Sequence, residues 1–392
     1  MKRKMPAVIR IPIFAAFVFC ASVAHAIEMK GVSYTAWSSN AMLSAKSDES
    51  LTKARATGCN WIAICVWRFQ DDVDSTIIEA DYSRYSATVE SVTHAIATCH
   101  NRGMKVMLKP MVDCRDGEWR GNIKPSADWF NAYGDFMAFW AQIAQEHKVE
   151  SFCVGCELVK TVSWSSSWRS VAEAVKAHYA GSLTYAANHG NEKSIDWWDE
   201  LDYIGIDAYY SLTNKNNPSL DKLKSAWESR ADSIESWVNS DWPGMKVAFT
   251  EVGYQSVDGT NRTPWWRDPS SHAMDLQEQA DCYEALLSVC GQRQWWLGAF
   301  WWNWETDPDG GGGDDPYWTP MNKPAEDVLA THYAATAGDF DDDRDVDMRD
   351  ISLLAERWLE SGVVGDPDIN NDGRVNMSDY SLAAENWLSG VN

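Results

Sequence analysis

The chain has 392 residues, of which 45% are hydrophobic, 12% aromatic and 23% charged, and its formal net charge is −23. This is a globular composition, long enough for one large domain and a small appendage. So acidic a chain lacks the basic footprint that phosphate backbones need, and anionic membrane surfaces repel it. The 23 tryptophans exceed what a core of this size requires and suggest flat apolar platforms.

Residues 1–26 read as a signal peptide. Lys2, Arg3 and Lys4 open the chain, residues 11–23 form a short apolar run, and Ala24-His25-Ala26 offers a small-x-small cleavage site. The run is shorter than the roughly 20 residues that span a bilayer, so export without membrane insertion is expected. Eight cysteines follow Cys20. Cys282 and Cys290 stand two helical turns apart on a predicted helix and cannot bridge each other. Most of the eight are expected to be buried thiols, with no zinc-type spacing among them.

From residue 31 the pattern alternates. Apolar strand-like runs occur at 31–35, 61–67, 105–110 and 151–155, then at 182–188, 203–209, 246–253 and 297–304. Helical spacing marks 83–102, 129–147, 168–180, 220–238 and 275–289, and 322–333 reads as a closing helix. Near-continuous apolar strands between amphipathic helices imply parallel strands covered on both faces. Eight such units over 27–335 predict an α/β fold, a closed (β/α)8 TIM barrel. An open doubly wound sheet would want a Gly-rich phosphate turn after the first strand, and Gly31-Val32-Ser33-Tyr34 has none. The four glycines at 310–313 predict a loop after the eighth strand.

In such barrels the chemistry sits where strands end. The fourth predicted strand runs into Glu157 and the seventh into Glu251. No Ser-His-Asp set and no histidine cluster competes with them at the predicted rim. Two carboxylates facing across one mouth can cleave a glycosidic bond, one as proton donor and the other as nucleophile or base. A single strand-end Glu is more often a helix cap or an ion-pair partner. Two on one barrel, among Trp-rich loops, favour catalysis. Trp61, Trp140 and Trp237 are expected in the core, whereas Trp119, Trp265, Trp266, Trp302, Trp304 and Trp318 fall at strand ends or in loops.

At this point residues 30–335 resemble the retaining glycoside hydrolases of clan A, and within it family 113, whose members are mainly endo-β-1,4-mannanases. The matching stretches are Met107-Leu108-Lys109-Pro110 with Trp119-Arg120-Gly121-Asn122-Ile123, Val154-Gly155-Cys156-Glu157-Leu158 and Leu183-Thr184-Tyr185-Ala186-Ala187-Asn188. Further on they are Asp202-Tyr203-Ile204-Gly205-Ile206-Asp207-Ala208-Tyr209, Phe249-Thr250-Glu251-Val252-Gly253-Tyr254 and Trp301-Trp302-Asn303-Trp304. The resemblance implies Glu157 as acid/base and Glu251 as nucleophile, with Tyr209 beside the nucleophile and Trp302 under the sugar at the cleavage point. Trp67, Lys109, Trp119, Arg120, Asn188, Asp207 and Trp304 complete the expected sugar-binding set, and catalysis is expected to need no cofactor. Cys156 stands where the wider clan has an Asn that bonds the sugar 2-hydroxyl; Asn188 is the candidate substitute. Another retaining β-glycanase, an exo-glycosidase, or a non-catalytic carbohydrate-binding surface protein are the alternatives.

Residues 336–392 change character, and from 338 onward fourteen acidic residues face four arginines. The acids keep a register rather than forming a random run. Asp339, Asp341, Asp343, Asp347 and Asp350 occupy loop positions one, three, five, nine and twelve, and Asp345 fills position seven. Asp368, Asn370, Asp372, Asn376 and Asp379 repeat the pattern, with Arg374 at seven. These are EF-hand calcium positions, position seven using its backbone carbonyl. Each loop leads into a predicted apolar helix, 351–359 and 380–388. The segment resembles a type I dockerin, a small all-α duplicated calcium-loop domain of exported carbohydrate enzymes, which implies structural Ca2+ and a cohesin-like partner. Arg344 replaces the usual position-six Gly in the first loop.

Overall fold

In the computed structural model of the chain, residues 27–266, 268–334, 338–340, 346–363, 367–370 and 373–387 are described. Eight parallel strands close in sequential order: β1 Met29–Thr35, β2 Trp61–Gln70, β3 Lys105–Cys114, β4 Ser151–Cys156, β5 Ser182–Asn188, β6 Ile204–Asp207, β7 Val247–Val252 and β8 Trp296–Glu305. Helices α1 Ala45–Ala56, α2 Val89–Asn101, α3 Ala127–Glu146, α4 Ser165–Lys176, α5 Leu220–Asp241, α6 Leu276–Cys290 and α7 Pro324–Tyr333 accompany them. The expected (β/α)8 barrel is present.

Side-chain alternation splits the strands into two cores. Ile62, Ile64, Val66, Val106 and Leu108 face outward into the layer shared with the helices. Ala63, Cys65, Trp67, Met107, Met111 and Phe300 fill the barrel interior. Strands β2 and β3 pair over ten residues each, from Trp61 with Lys105 to Gln70 with Cys114. They outrun the predicted ends at 67 and 110 because the inward–outward alternation continues, so Lys109 lies well inside the barrel rather than at its rim.

The fifth crossover departs from the expected strand–helix repeat. Residues 189–203 carry two 3-10 turns, Glu192–Ser194 and Trp198–Glu200, in place of an α-helix. Trp197 and Trp198 are fully buried there. Trp197 stacks on Trp168 of α4 at 5.0 Å and 9° and meets Tyr185 of β5 edge-on. Two indoles cover the strand pair that a helix would otherwise cover.

Beyond the barrel lie α8 Met348–Glu356 and α9 Met377–Glu385. Both start three residues before their predicted positions because loop positions nine and twelve form capping boxes, Asp347 with Asp350 and Asn376 with Asp379. Leu354, Val363 and Val375 make a small core with Phe340. Of the predicted calcium positions, Asp339, Asp347, Asp350, Asp368, Asn370, Arg374, Asn376 and Asp379 are described; Asp341, Asp343, Asp345 and Asp372 lie outside the described residues, as does the leader 1–26. The eight cysteines after Cys20 are all buried and free. No helix among the described residues is long and apolar enough to cross a membrane.

Candidate active site

Strand β4 delivers Glu157 through a tight passage. A Cβ on Gly155 would lie 2.8 Å from the rings of both Trp168 and Tyr185, so only glycine fits there. Two residues on, Glu157 adopts φ 53°, the left-handed region that is costly for a residue with a Cβ. Its amide donates to the Ala186 carbonyl at 2.9 Å, and the next amide, that of Leu158, donates to the Tyr185 hydroxyl at 3.0 Å. These bonds hold the kink and turn the carboxylate into the barrel mouth. Trp119 donates its indole N–H to Glu157 Oε2 at 3.5 Å. Burial first, and the charge of Glu251 second, push the Glu157 carboxyl above its ordinary range, while Arg120 and Lys109 oppose them.

Glu251, near the end of β7, is 6% exposed. Lys109 Nζ donates to its Oε1 at 2.7 Å, and the Tyr209 hydroxyl donates to its Oε2 at 3.0 Å. Tyr209 stays a donor because burial, then the charge of Glu251, holds its pKa well above the usual value. Two residues beyond, a Cβ on Gly253 would stand 2.5 Å from the Trp302 carbonyl, so glycine lets β8 close against β7.

Beneath Glu251 lies a buried polar cluster. Lys109 also reaches Asp207 Oδ1 and the Thr250 carbonyl, each at 3.3 Å. Thr250 donates its hydroxyl to Asp207 Oδ1 at 2.8 Å, and the Cys156 thiol lies 3.3 Å from Asp207 Oδ2. Burial opposes the charge on Lys109, but the carboxylates of Asp207 and Glu251 outweigh it and hold its pKa well above normal. Asp207 is raised to about 7 by burial and then by Glu251. Cys156, Asp207 and Glu251 are close enough to hold a metal ion. The Lys109 ammonium already supplies the cation that these acids need.

The two glutamates share a cleft of about 1090 Å³. Trp67, Trp119, Arg120, Asn188, Tyr209 and Trp302 of the expected sugar-binding set line it, together with Trp265, Trp266 and Trp318. Arg120 is fixed by Asp113, Nε to Oδ1 at 2.8 Å, and by the sulfur of Cys156 at 3.2 Å. The Asn188 amide nitrogen is committed to the His189 carbonyl at 3.2 Å and Asn191 Oδ1 at 3.1 Å, leaving its oxygen for a ligand.

Three members of that set are placed elsewhere. Trp304 is fully buried outside the cleft, its indole N–H donating to Ser50 of α1. Regular alternation would put both on one face; the register shift in β8, where Ser33 pairs with Trp302 but Tyr34 with Trp304, turns Trp302 inward and Trp304 outward. Lys109 and Asp207 are fully buried below Glu251, so they support its carboxylate and do not line the cleft. Sequence reading missed Trp37, Asp113, His189 and Glu305, which also line the cleft. For Asp113 a signal existed: Met107, Lys109, Met111 and Asp113 keep one face of a strand read as ending at 110.

The Glycoside Hydrolase Family 113 model matches residues 32–310. A solved complex of a GH113 β-1,4-mannanase is 26% identical, with a TM-score of 0.70, and the match covers 78% of this chain and 98% of that one. The GH113 β-mannanase AaManA from Alicyclobacillus acidocaldarius, in complex with ManMIm, is 28% identical with a TM-score of 0.69, over 78% of this chain and 96% of that one. Endoglucanase Cel5A from Pseudomonas stutzeri, 13% identical with a TM-score of 0.53 over 78% and 94% of the two chains, shares the fold alone. No curated protein matches the chain.

Proposed function

We propose that this chain, which belongs to Glycoside Hydrolase Family 113, is an exported, retaining, endo-acting β-1,4-mannanase. The carrying observation is the pairing of Glu157 and Glu251 in one cleft: Glu157 is raised by burial and by its neighbour's charge, and Glu251 accepts from Lys109 and Tyr209. The substrate assignment rests on relatives 26% and 28% identical that are described as β-1,4-mannanase and β-mannanase.

In the first step a Glu251 oxygen attacks the anomeric carbon and the glycosidic C–O bond breaks. The Glu157 proton passes to the leaving oxygen. Lys109 and Tyr209 hold Glu251 oriented through their hydrogen bonds to its two oxygens, and Trp302 offers a face to the sugar. Once Glu251 is esterified its charge is gone, and with it part of the push on Glu157. Glu157 then titrates lower and acts as base. It takes a proton from water, whose oxygen attacks the same carbon and releases Glu251 as carboxylate. Two inversions leave the β configuration.

The tail is read as a dockerin-like module that binds structural calcium and a cohesin-like protein. Supporting it, Asp339, Asp350, Asp368 and Asp379 are 4%, 0%, 2% and 0% exposed, and these are positions one and twelve of both loops. Buried carboxylates clustered in this register suit a hard divalent cation; the ion would supply charge neutralisation there and no catalytic chemistry.

The test is hydrolysis of β-1,4-mannan followed by proton NMR and viscometry. Newly formed reducing ends should appear first as the β-anomer, with an early fall in viscosity. Release of the α-anomer first, or no reducing ends from any mannan, would overturn the reading.

A further inference from the structure

Every cleft carboxylate but one has a hydrogen-bond donor. Glu157 has Trp119, Glu251 has Lys109 and Tyr209, Asp113 has Arg120 and Tyr85, and Asp268 accepts the Ser270 amide. The exception is Glu305, at the end of β8, half-buried and lining the same cleft. Its backbone is fixed: it pairs with Thr35 of β1, and its carbonyl accepts the Ser50 hydroxyl. No donor among the described residues hydrogen-bonds its carboxylate. The nearby Lys323 ammonium donates to Ser256 Oγ at 2.8 Å and the Tyr317 carbonyl at 2.9 Å. Gly310 leaves the carboxylate room, since a Cβ there would stand 2.9 Å from Glu305 Oε2. Burial and then the charge of Asp315 raise the Glu305 pKa, with Lys323 opposing.

A half-buried carboxylate on a fixed strand end, without donors from the chain, keeps both oxygens available to a ligand that brings donors of its own. Sugar hydroxyls are donors, and two carboxylate oxygens can accept from two adjacent hydroxyls. The side of the cleft follows from the chemistry. Glu157, after β4, protonates the leaving oxygen, so the leaving half of the chain lies toward β4. Glu305 stands across the barrel on the β8–β1 wall. Across the register shift it pairs with Thr35, two β1 residues beyond Ser33, the partner of Trp302, so it lies about 7 Å further along the wall and therefore past the sugar at the cleavage point.

We propose that Glu305 is a specificity residue that binds the hydroxyls of the second glycone sugar, one place removed from the bond that is cut. This rests on the glycanase reading above and adds a subsite to it.

The experiment compares kcat/KM for a dinitrophenyl β-mannoside and the matching β-mannobioside in wild type, Glu305→Ala and Glu305→Gln. Losing a hydrogen bond to a charged group should lower the bioside-to-monoside preference about 10- to 100-fold in Glu305→Ala. Glu305→Gln, which keeps one acceptor oxygen, should fall between. An unchanged ratio in Glu305→Ala would overturn the proposal, whether both substrates slow together or neither does. Wild-type inertness on both compounds would instead overturn the mannan assignment. The same ratio would then be read on the aryl glycoside and bioside of whichever sugar the wild type cleaves.

Discussion

Replacing Lys109 with Met tests the cluster under Glu251 most directly. Lys109 is fully buried, 2.7 Å from Glu251 and 3.3 Å from Asp207. Methionine fills much of the volume but removes the only charge that balances two buried acids in this cluster. Breaking a buried pair from one side costs about 3–5 kcal/mol, because the stranded charge stays in low dielectric. At about 2 °C per kcal/mol for a domain this large, the barrel's unfolding midpoint should fall by about 6–10 °C. The pKa of Lys109 is raised in the folded state, so its stabilisation is fully present below about pH 10.4 and absent only well above it. The loss should therefore be measurable at pH 7 by calorimetry. A second readout concerns catalysis. Without the ammonium, Glu251 loses the donor at its Oε1, and kcat/KM should fall by about 10- to 100-fold. A Lys109→Met variant with the wild-type midpoint and the wild-type kcat/KM would refute the argument.

Glu157→Ala should lose about 10²- to 10⁴-fold in turnover of polysaccharide, with azide restoring cleavage of an activated aryl glycoside as the glycosyl azide; no azide rescue would count against its acid/base role. Glu251→Ala should be nearly inactive on every glycan the wild type cleaves, and ordinary activity would sink its assignment. Trp304→Ala should cost about 3–5 kcal/mol in denaturant unfolding, because a buried indole leaves a cavity, whereas Trp302→Ala should leave stability near wild type and lower kcat/KM by about tenfold; the reverse pattern would show the two indoles to be misassigned. Calcium titrated calorimetrically into the full chain should bind at two sites, with Asp350→Ala and Asp379→Ala each removing one, and no calcium heat would end the dockerin-like reading.

The barrel itself was legible from residue order. Apolar runs at a spacing that only parallel strands and covering helices satisfy fold one way, because each strand must bury both faces. The same local logic placed Glu157 and Glu251 at strand ends, and the register of the tail marked its two helices. Local pattern could not supply strand length. Whether β3 stops at Pro110 or runs to Cys114 depends on the ten-residue ladder with β2, a long-range contact, and that decides whether Lys109 faces the cleft or underpins Glu251. Trp302 and Trp304 are alike as letters; closure of β8 against β1 and β7 sends one into the cleft and the other onto α1. In the fifth crossover, Trp197 and Trp198 stand in for a helix only because Trp168 and Tyr185 arrive from elsewhere in the chain to receive them. Residue type and period act over a few neighbours, so they specify elements and their order. Which side chains share a space, and with what charge beside them, is decided when distant segments meet.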